Sequence, residues 1–301
     1  MRKRDLFSCL LILLLMLSGL VGCVQELDSA KTNPTHETAI VNDPVQDHMM
    51  HYWDDFNFSD SLAITNPDIA EQALVDFIAA CTKLLEAQQS LAIKNMLSRA
   101  KSNAFAFSSF TQQLEHYLYD PNSPMRNDAL YQPVLEFLLD STRLDAPSRL
   151  KNQHRLELAL KNKVGNPAND FRFQLPNGAE QRLYEIDAAL TVLFFYEPDC
   201  DHCQAAIAEL RGSQHFNQLL NTGKLKILAV YAGKSYTLWI NYQQQLPASW
   251  INGFDAENRI RRERIYDLRG SPTIYLLNEG KQVILKDTGL ATLLNISSPT
   301  S

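Results

Sequence analysis

The sequence predicts an α-helical N-terminal bundle followed by an α/β C-terminal domain, a mixed sheet with flanking helices. Three observations predict it. Between residues 50 and 163, apolar side chains recur at three- and four-residue spacing, the period of helices that bury one face. Val192-Leu193-Phe194-Phe195-Tyr196 is an unbroken apolar run, which suits a strand covered on both sides. Beyond it, short apolar runs alternate with helical patterns, and a strand-helix-strand unit requires a parallel pair with a right-handed crossover.

The chain has 301 residues, 45% of them hydrophobic, enough for two modest domains. It begins with Arg2, Lys3 and Arg4, then an apolar stretch from Leu6 to Leu17 that is too short to span a bilayer comfortably. Leu20-Val21-Gly22-Cys23 resembles a bacterial lipobox, whose cysteine is lipidated and becomes the new N-terminus. Residues 1–22 are therefore expected to be a lipoprotein signal peptide, with Cys23 as the lipidation site. The formal charge is −6, and cleavage before Cys23 would leave the chain more acidic still. That balance argues against nucleic acid as a partner and against electrostatic docking to anionic lipid. Residues 23–47 read as a linker: polar, with Pro34 and Pro44, and without an apolar period.

Residues 48–163 read as the helical domain. Asn66-Pro67-Asp68 is a helix start, with a capping side chain, a first-turn proline and an acid. Ile69, Ala73, Phe77, Cys81 and Leu84 follow at helical spacing. A second helix runs from about Ser90 to Lys101, and a third carries Phe107, Phe110, Leu114 and Leu118. Asp120-Pro121-Asn122-Ser123-Pro124 breaks the pattern before a fourth, with Leu130, Val134 and Leu138. Asp145-Ala146-Pro147 begins a fifth, ending near Gly165. No motif here carries chemistry. The histidines His48, His51, His116 and His154 are scattered, and Cys81 reads as a small core residue. Tyr52, Trp53, Phe56 and Phe58 form an aromatic cluster, read as core packing, with a partner-binding groove as the alternative.

Residues 164–301 read as the α/β domain. Pro176-Asn177-Gly178, between Phe171-Arg172-Phe173 and Arg182-Leu183-Tyr184, signals a hairpin. The Thr191 strand follows, then a helix, then a second buried strand from Leu225 to Tyr231. Tyr236 to Leu246 is helical in pattern, Thr273 to Asn278 a third strand, Glu279-Gly280 a turn and Val283 to Leu285 a fourth strand.

The chemistry concentrates where the Thr191 strand stops. Pro198 cannot continue a central strand, so Cys200-Asp201-His202-Cys203 falls between strand end and helix start. The positive end of a helix dipole favours the thiolate, the reactive form of cysteine. A second thiol three residues on can close a disulfide with the first, and His202 could offer a hydrogen bond or positive charge. Asp199, Asp201 and Glu197 act in the opposite direction, since carboxylates disfavour a second negative charge. A closed zinc site would need a second Cys or His pair, which the chain lacks, so no metal and no cofactor are expected. With Cys9 in the signal and Cys23 lipidated, Cys200 and Cys203 are the remaining pair, which is no disulfide scaffold.

These residues carry a resemblance. From about Lys163 to Lys286 the chain resembles the TlpA-like, thioredoxin-fold thiol–disulfide oxidoreductases of Gram-negative envelopes. Ala168-Asn169-Asp170-Phe171 resembles the family's opening strand, Phe194-Phe195-Tyr196 with Cys200–Cys203 its active site, Lys226–Val230 its central strand and Tyr266–Thr273 its proline loop. The resemblance implies a thioredoxin-like domain with a cis bond between Ser271 and Pro272, packed against the thiols. It departs from the family at three positions. Phe194 stands where classical thioredoxins place a buried acid, Ala206 where many membrane-anchored relatives carry a glutamate, and Asp199 where an aromatic is usual. The proton shuttle for Cys203 is thus unassigned, with Glu197 the nearest candidate in sequence. The helical half, through Tyr119–Asn127, resembles a domain of unknown function found ahead of this module in envelope lipoproteins.

The expected function is disulfide exchange with protein substrates, Cys200 attacking and Cys203 resolving, with His202, Ser271, Pro272 and Glu197 in support. The expected partners are disulfide or dithiol proteins, an unidentified upstream electron donor, and a membrane reached through lipid at Cys23, with the chain facing the periplasm. The competing expectation is a non-catalytic, lipid-anchored binding module that uses both domains as a docking platform.

Overall fold

The computed structural model describes residues 44–140 and 144–296. The expected signal peptide, Cys23 and most of the expected linker lie outside the described residues. Among those described, no helix is long and apolar enough to cross a membrane.

The helical half comprises α1 (Pro44–His51), α2 (Ser61–Thr65), α3 (Gln72–Cys81), α4 (Glu86–Ala100), α5 (Ala104–Tyr119), α6 (Asp128–Leu139) and α7 (Ala146–Leu160). The last five correspond to the helices read from the sequence; α1 begins within the stretch read as linker. Asn66 caps as expected, its side chain accepting the Asp68 N–H at 3.0 Å, but a single π-helical turn, Pro67–Glu71, precedes α3. Asn103, Asn127 and Asp145 cap α5, α6 and α7 in the same way. The aromatic cluster is core. Trp53 is 2% exposed, with Tyr52, Phe56 and Phe110 each 5.3 Å from it, centroid to centroid. Burying a ring of this size contributes about 1.5–3 kcal/mol, and each such edge-on pair about 0.5–1.5 kcal/mol more. Cys81 is fully buried in the same core.

The α/β half is a 7-stranded sheet in the order β2-β1-β5-β4-β3-β6-β7. Its strands are β1 (Arg172–Gln174), β2 (Glu180–Arg182), β3 (Leu190–Tyr196), β4 (Leu225–Tyr231), β5 (Ile251–Phe254), β6 (Thr273–Asn278) and β7 (Val283–Leu285). The β3–β4 and β4–β5 pairs are parallel, the rest antiparallel. Helices α8 (Asp201–Gly212) and α9 (Gln214–Asn221) cross from β3 to β4, α10 (Tyr236–Tyr242) lies between β4 and β5, α11 (Arg259–Arg262) precedes β6, and α12 (Leu290–Leu294) follows β7. β3 is buried along its whole length because alternate residues enter different cores. Val192, Phe194 and Tyr196 pack with Cys203, Ile207 and Leu210 of α8, whereas Leu193 and Phe195 pack with Phe171, Phe173 and Tyr266 on the other face.

The hairpin forms, with Gly178 at φ +83°, a value that favours glycine in the turn. Ala168–Phe171 is an extended lead into β1 rather than a regular strand. The two halves pack through buried charge. Lys286 donates to the Ala159 and Lys161 carbonyls at the end of α7, both at 2.8 Å, and pairs with Asp128 at 3.0 Å. A cation here faces the negative end of the helix dipole.

Candidate active site

β3 delivers the chain to Tyr196, and buried Pro198 turns it. Cys200 is then the N-cap of α8: its Sγ accepts the Cys203 N–H at 3.1 Å, while its own N–H donates to the Glu197 carbonyl at 3.2 Å. A cap normally uses a side-chain oxygen; here sulfur takes that place, at the positive end of a 12-residue helix. Cys200 is half-buried, whereas Cys203 is fully buried. Burial pushes the Cys203 thiol up, and its hydrogen bond with Cys200 pushes it further. Both are free thiols.

The proline loop closes the site from the far side of β3. The Ser271–Pro272 bond is cis, as the sequence resemblance implied. The Ser271 carbonyl lies 3.4 Å from the Cys200 Sγ and accepts its S–H. Thr273 Oγ1 donates to the Gly270 carbonyl at 2.7 Å and stiffens the loop.

The supporting residues divide. The Ser271 carbonyl meets the Cys200 thiol, and the cis bond to Pro272 follows it directly. His202 is exposed and, among the described residues, hydrogen-bonds neither cysteine. The Glu197 carboxylate is held by Arg261 at 2.7 Å, and Arg261 is tied in turn to the Ala232 carbonyl. Behind Cys203, where a buried acid is usual, the floor is aromatic. Phe194, Tyr196 and Tyr242 share its core, with Tyr196 and Tyr242 5.5 Å apart, centroid to centroid. Burial raises both phenols, and the thiols raise Tyr242 further. Tyr196 and Trp239 both donate to Asn252 Oδ1, at 3.1 and 2.8 Å.

Sequence reasoning missed a cluster of buried charge behind the proline loop. Arg269 pairs with Asp128 of the helical half and with Asp267 at 3.3 Å, and its guanidinium lies 4.4 Å from the Tyr119 ring centroid. Arg126 pairs with Asp287 at 2.8 Å. Burial lifts the Asp287 carboxyl to about 6, against the pull of Arg126 and Arg269. Burial also pushes Asp128 up, but Arg269 and Lys286 outweigh it and hold that carboxyl below its usual range. The one sequence signal was the Tyr119–Asn127 stretch, which contributes Tyr119 and Arg126 to this cluster.

A helical half followed by a seven-stranded sheet, with a Cys-x-x-Cys helix facing a cis-proline loop, defines a thioredoxin-like architecture. A family model described as a domain of unknown function, DUF5106, matches residues 40–162. A thioredoxin-like protein from Bacteroides caccae is 36% identical, with the match covering 83% of this chain and 90% of that one at a TM-score of 0.78. The chain therefore belongs to the thioredoxin-like family, and the TlpA-like resemblance fits at that level. A conserved protein of unknown function from Bacteroides fragilis is 34% identical over 44% of this chain and 97% of that one, TM-score 0.44. A domain of a possible thiol-disulfide isomerase from Cytophaga hutchinsonii is 24% identical over 44% of this chain and 90% of that one, TM-score 0.40. No curated protein matches the chain.

Proposed function

We propose that the protein is a thiol–disulfide oxidoreductase that exchanges disulfides with protein substrates through Cys200 and Cys203. The observation that carries this is the placement of Cys200 Sγ, half-buried, on the Cys203 N–H at 3.1 Å and 3.4 Å from the carbonyl before a cis proline. The Cys200 thiolate attacks one sulfur of a substrate disulfide. That S–S bond breaks, a mixed disulfide forms, and the released substrate thiolate takes a proton. Cys203 then loses its proton and attacks Cys200 Sγ, releasing the second substrate thiol and closing the Cys200–Cys203 disulfide. Two electrons pass from the protein to the substrate, and a dithiol donor must return them; in reverse the pair oxidises a dithiol.

The environment of Cys203 supports this order. Burial first, then its hydrogen bond with Cys200 and the Cys200 charge, hold its proton on. Mixed-disulfide formation removes the Cys200 charge, so the resolving thiol gives up its proton more readily after the first step than before it. The lipobox-like Leu20–Cys23 stretch supports a chain lipid-anchored at Cys23 in the bacterial envelope and facing the periplasm, and the acidic balance argues against nucleic acid as a partner.

Replacing Cys203 by Ser tests the mechanism. Mixed disulfides through Cys200 should accumulate and be released by reductant; none accumulating would overturn it. The binding-module reading draws on the aromatic floor beneath Cys203, where Phe194, Tyr196 and Tyr242 share its core. It predicts a chain that reduces no model disulfide.

A further inference from the structure

A cleft of about 570 Å³ runs from the proline loop along α8, and its walls come from both halves of the molecule. One wall is a stripe of α8, His202, Ala205, Ala206 and Glu209, the i, i+3, i+4, i+7 spacing of one helical face. Pro121, Asn122 and Arg126 of the helical half form the other wall. Ser271 and Pro272 also line the cleft, bringing it to the site where Cys200 meets the Ser271 carbonyl.

The far wall is held in place. A Cβ on Gly270 would lie 3.1 Å from the Pro121 Cβ, so the proline loop and the helical loop are in close contact. Arg126 and Arg269, the two cations among the lining residues, are committed to Asp287 and Asp128. Glu209 is exposed and has no ion pair among the described residues. Asp199 and Asp201, beside the thiol, are likewise exposed and unpaired among the described residues. The cleft thus offers apolar and backbone surface near the thiols and free negative charge along α8.

We propose that the cleft between the two halves reads the substrate: it takes an extended, cysteine-bearing segment of another protein, walled by the helical half, and Glu209 meets a basic side chain on it. This rests on the oxidoreductase reading above. Helical rise puts Glu209 about 13 Å along α8 from Cys200, the reach of about four residues of extended chain. The basic side chain is therefore expected about four positions from the substrate cysteine. Opposite charge across such a contact mainly sets selectivity and encounter rate.

The test uses the reduced full chain and three oxidants: two disulfide-linked peptides differing only in Lys or Glu four positions from the cysteine, and a small aromatic disulfide. The Lys peptide should react about fivefold faster than the Glu peptide at low salt, and the preference should fade as salt shortens the screening length to about 3 Å at 1 M. Glu209→Lys should invert the preference. Asn122→Trp, at an exposed position in the helical wall, should lower the ratio of peptide to small-disulfide rates about tenfold. Equal peptide rates, or a preference that survives Glu209→Lys, would overturn the proposal while small-disulfide exchange upheld the oxidoreductase reading. A chain that reacts with none of the three overturns both. A mixed disulfide between two copies of this chain, formed in place of the peptide adduct, would assign the cleft to self-association and also overturn it.

Discussion

Each half of the molecule buries a cysteine among aromatic or aliphatic side chains, but to opposite effect. Cys81 is sealed in the helical core with Phe77 and Phe110, and burial alone pushes its thiol up to about 12. Cys203 is just as fully buried, above Phe194 and Tyr196, yet it touches Cys200, whose sulfur caps α8 and is reachable from outside. Burial silences one thiol and holds the other in reserve. What separates them is a strand that ends one turn before a helix begins.

The largest effect that would break this contrast falls on Cys200. Cys200→Ser should reduce disulfide exchange to the uncatalysed background, since no other described thiol is both accessible and helix-capping. Residual turnover in a model-disulfide assay would show that the cap position is not where the reaction begins.

The next effect concerns what holds the halves together. Arg269→Ala leaves Asp128, Asp267 and Asp287 buried without their shared cation. Breaking a buried pair from one side costs about 3–5 kcal/mol. Denaturant unfolding should show a loss of that order, with exchange activity falling as the proline loop loses its support. A loss below 1 kcal/mol would mean that water reaches the cluster.

A smaller, pH-dependent effect belongs to Asp287. Its carboxyl is raised from 3.8 to about 6 in the folded chain, chiefly by burial. Across that window the folded chain holds a proton that the unfolded chain has released, so stability falls as pH rises from about 4 to 6, by on the order of 2 kcal/mol. Asp128 acts oppositely: its depressed carboxyl adds stability above the ordinary range, lost as pH falls through the lower folded value. Asp287→Asn should flatten the slope of unfolding free energy between pH 4 and 6 and leave the acid limb intact. An unchanged slope would move the titration to another group.

How much of this was legible in the sequence follows from range. β4, β6 and β7 have the bounds read from their apolar runs, and Cys200 lands on its helix start, because each depends on neighbours in the chain. β5 has no counterpart in the sequence reading, because Asn252 and Gly253 interrupt any apolar run there. In the fold Asn252 accepts the Tyr196 and Trp239 donors, and a Cβ on Gly253 would lie 2.9 Å from the Phe173 ring. Those requirements come from partners across the sheet, which no local pattern records. The Arg269–Asp128 and Arg126–Asp287 pairs join residues more than 100 positions apart, so the charge cluster was invisible until the halves were packed.

The smallest effect sharpens the comparison from the silent side. Cys81→Ala removes one sulfur from a packed core, a change close to deleting a methylene, and should cost about 1 kcal/mol. The exchange rate should not move, because Cys81 belongs to the helical core and the proposed pair, Cys200 and Cys203, to that of the α/β half. Thiol counting gives a second readout: native wild-type chain should expose one rapidly reacting thiol, Cys200, and unfolding should add Cys203 and Cys81 among the described cysteines. If Cys81→Ala removed a thiol that labels in the native state, the helical core would have to open on the labelling timescale. The contrast between a silenced and a reserved cysteine would then be one of dynamics rather than of place.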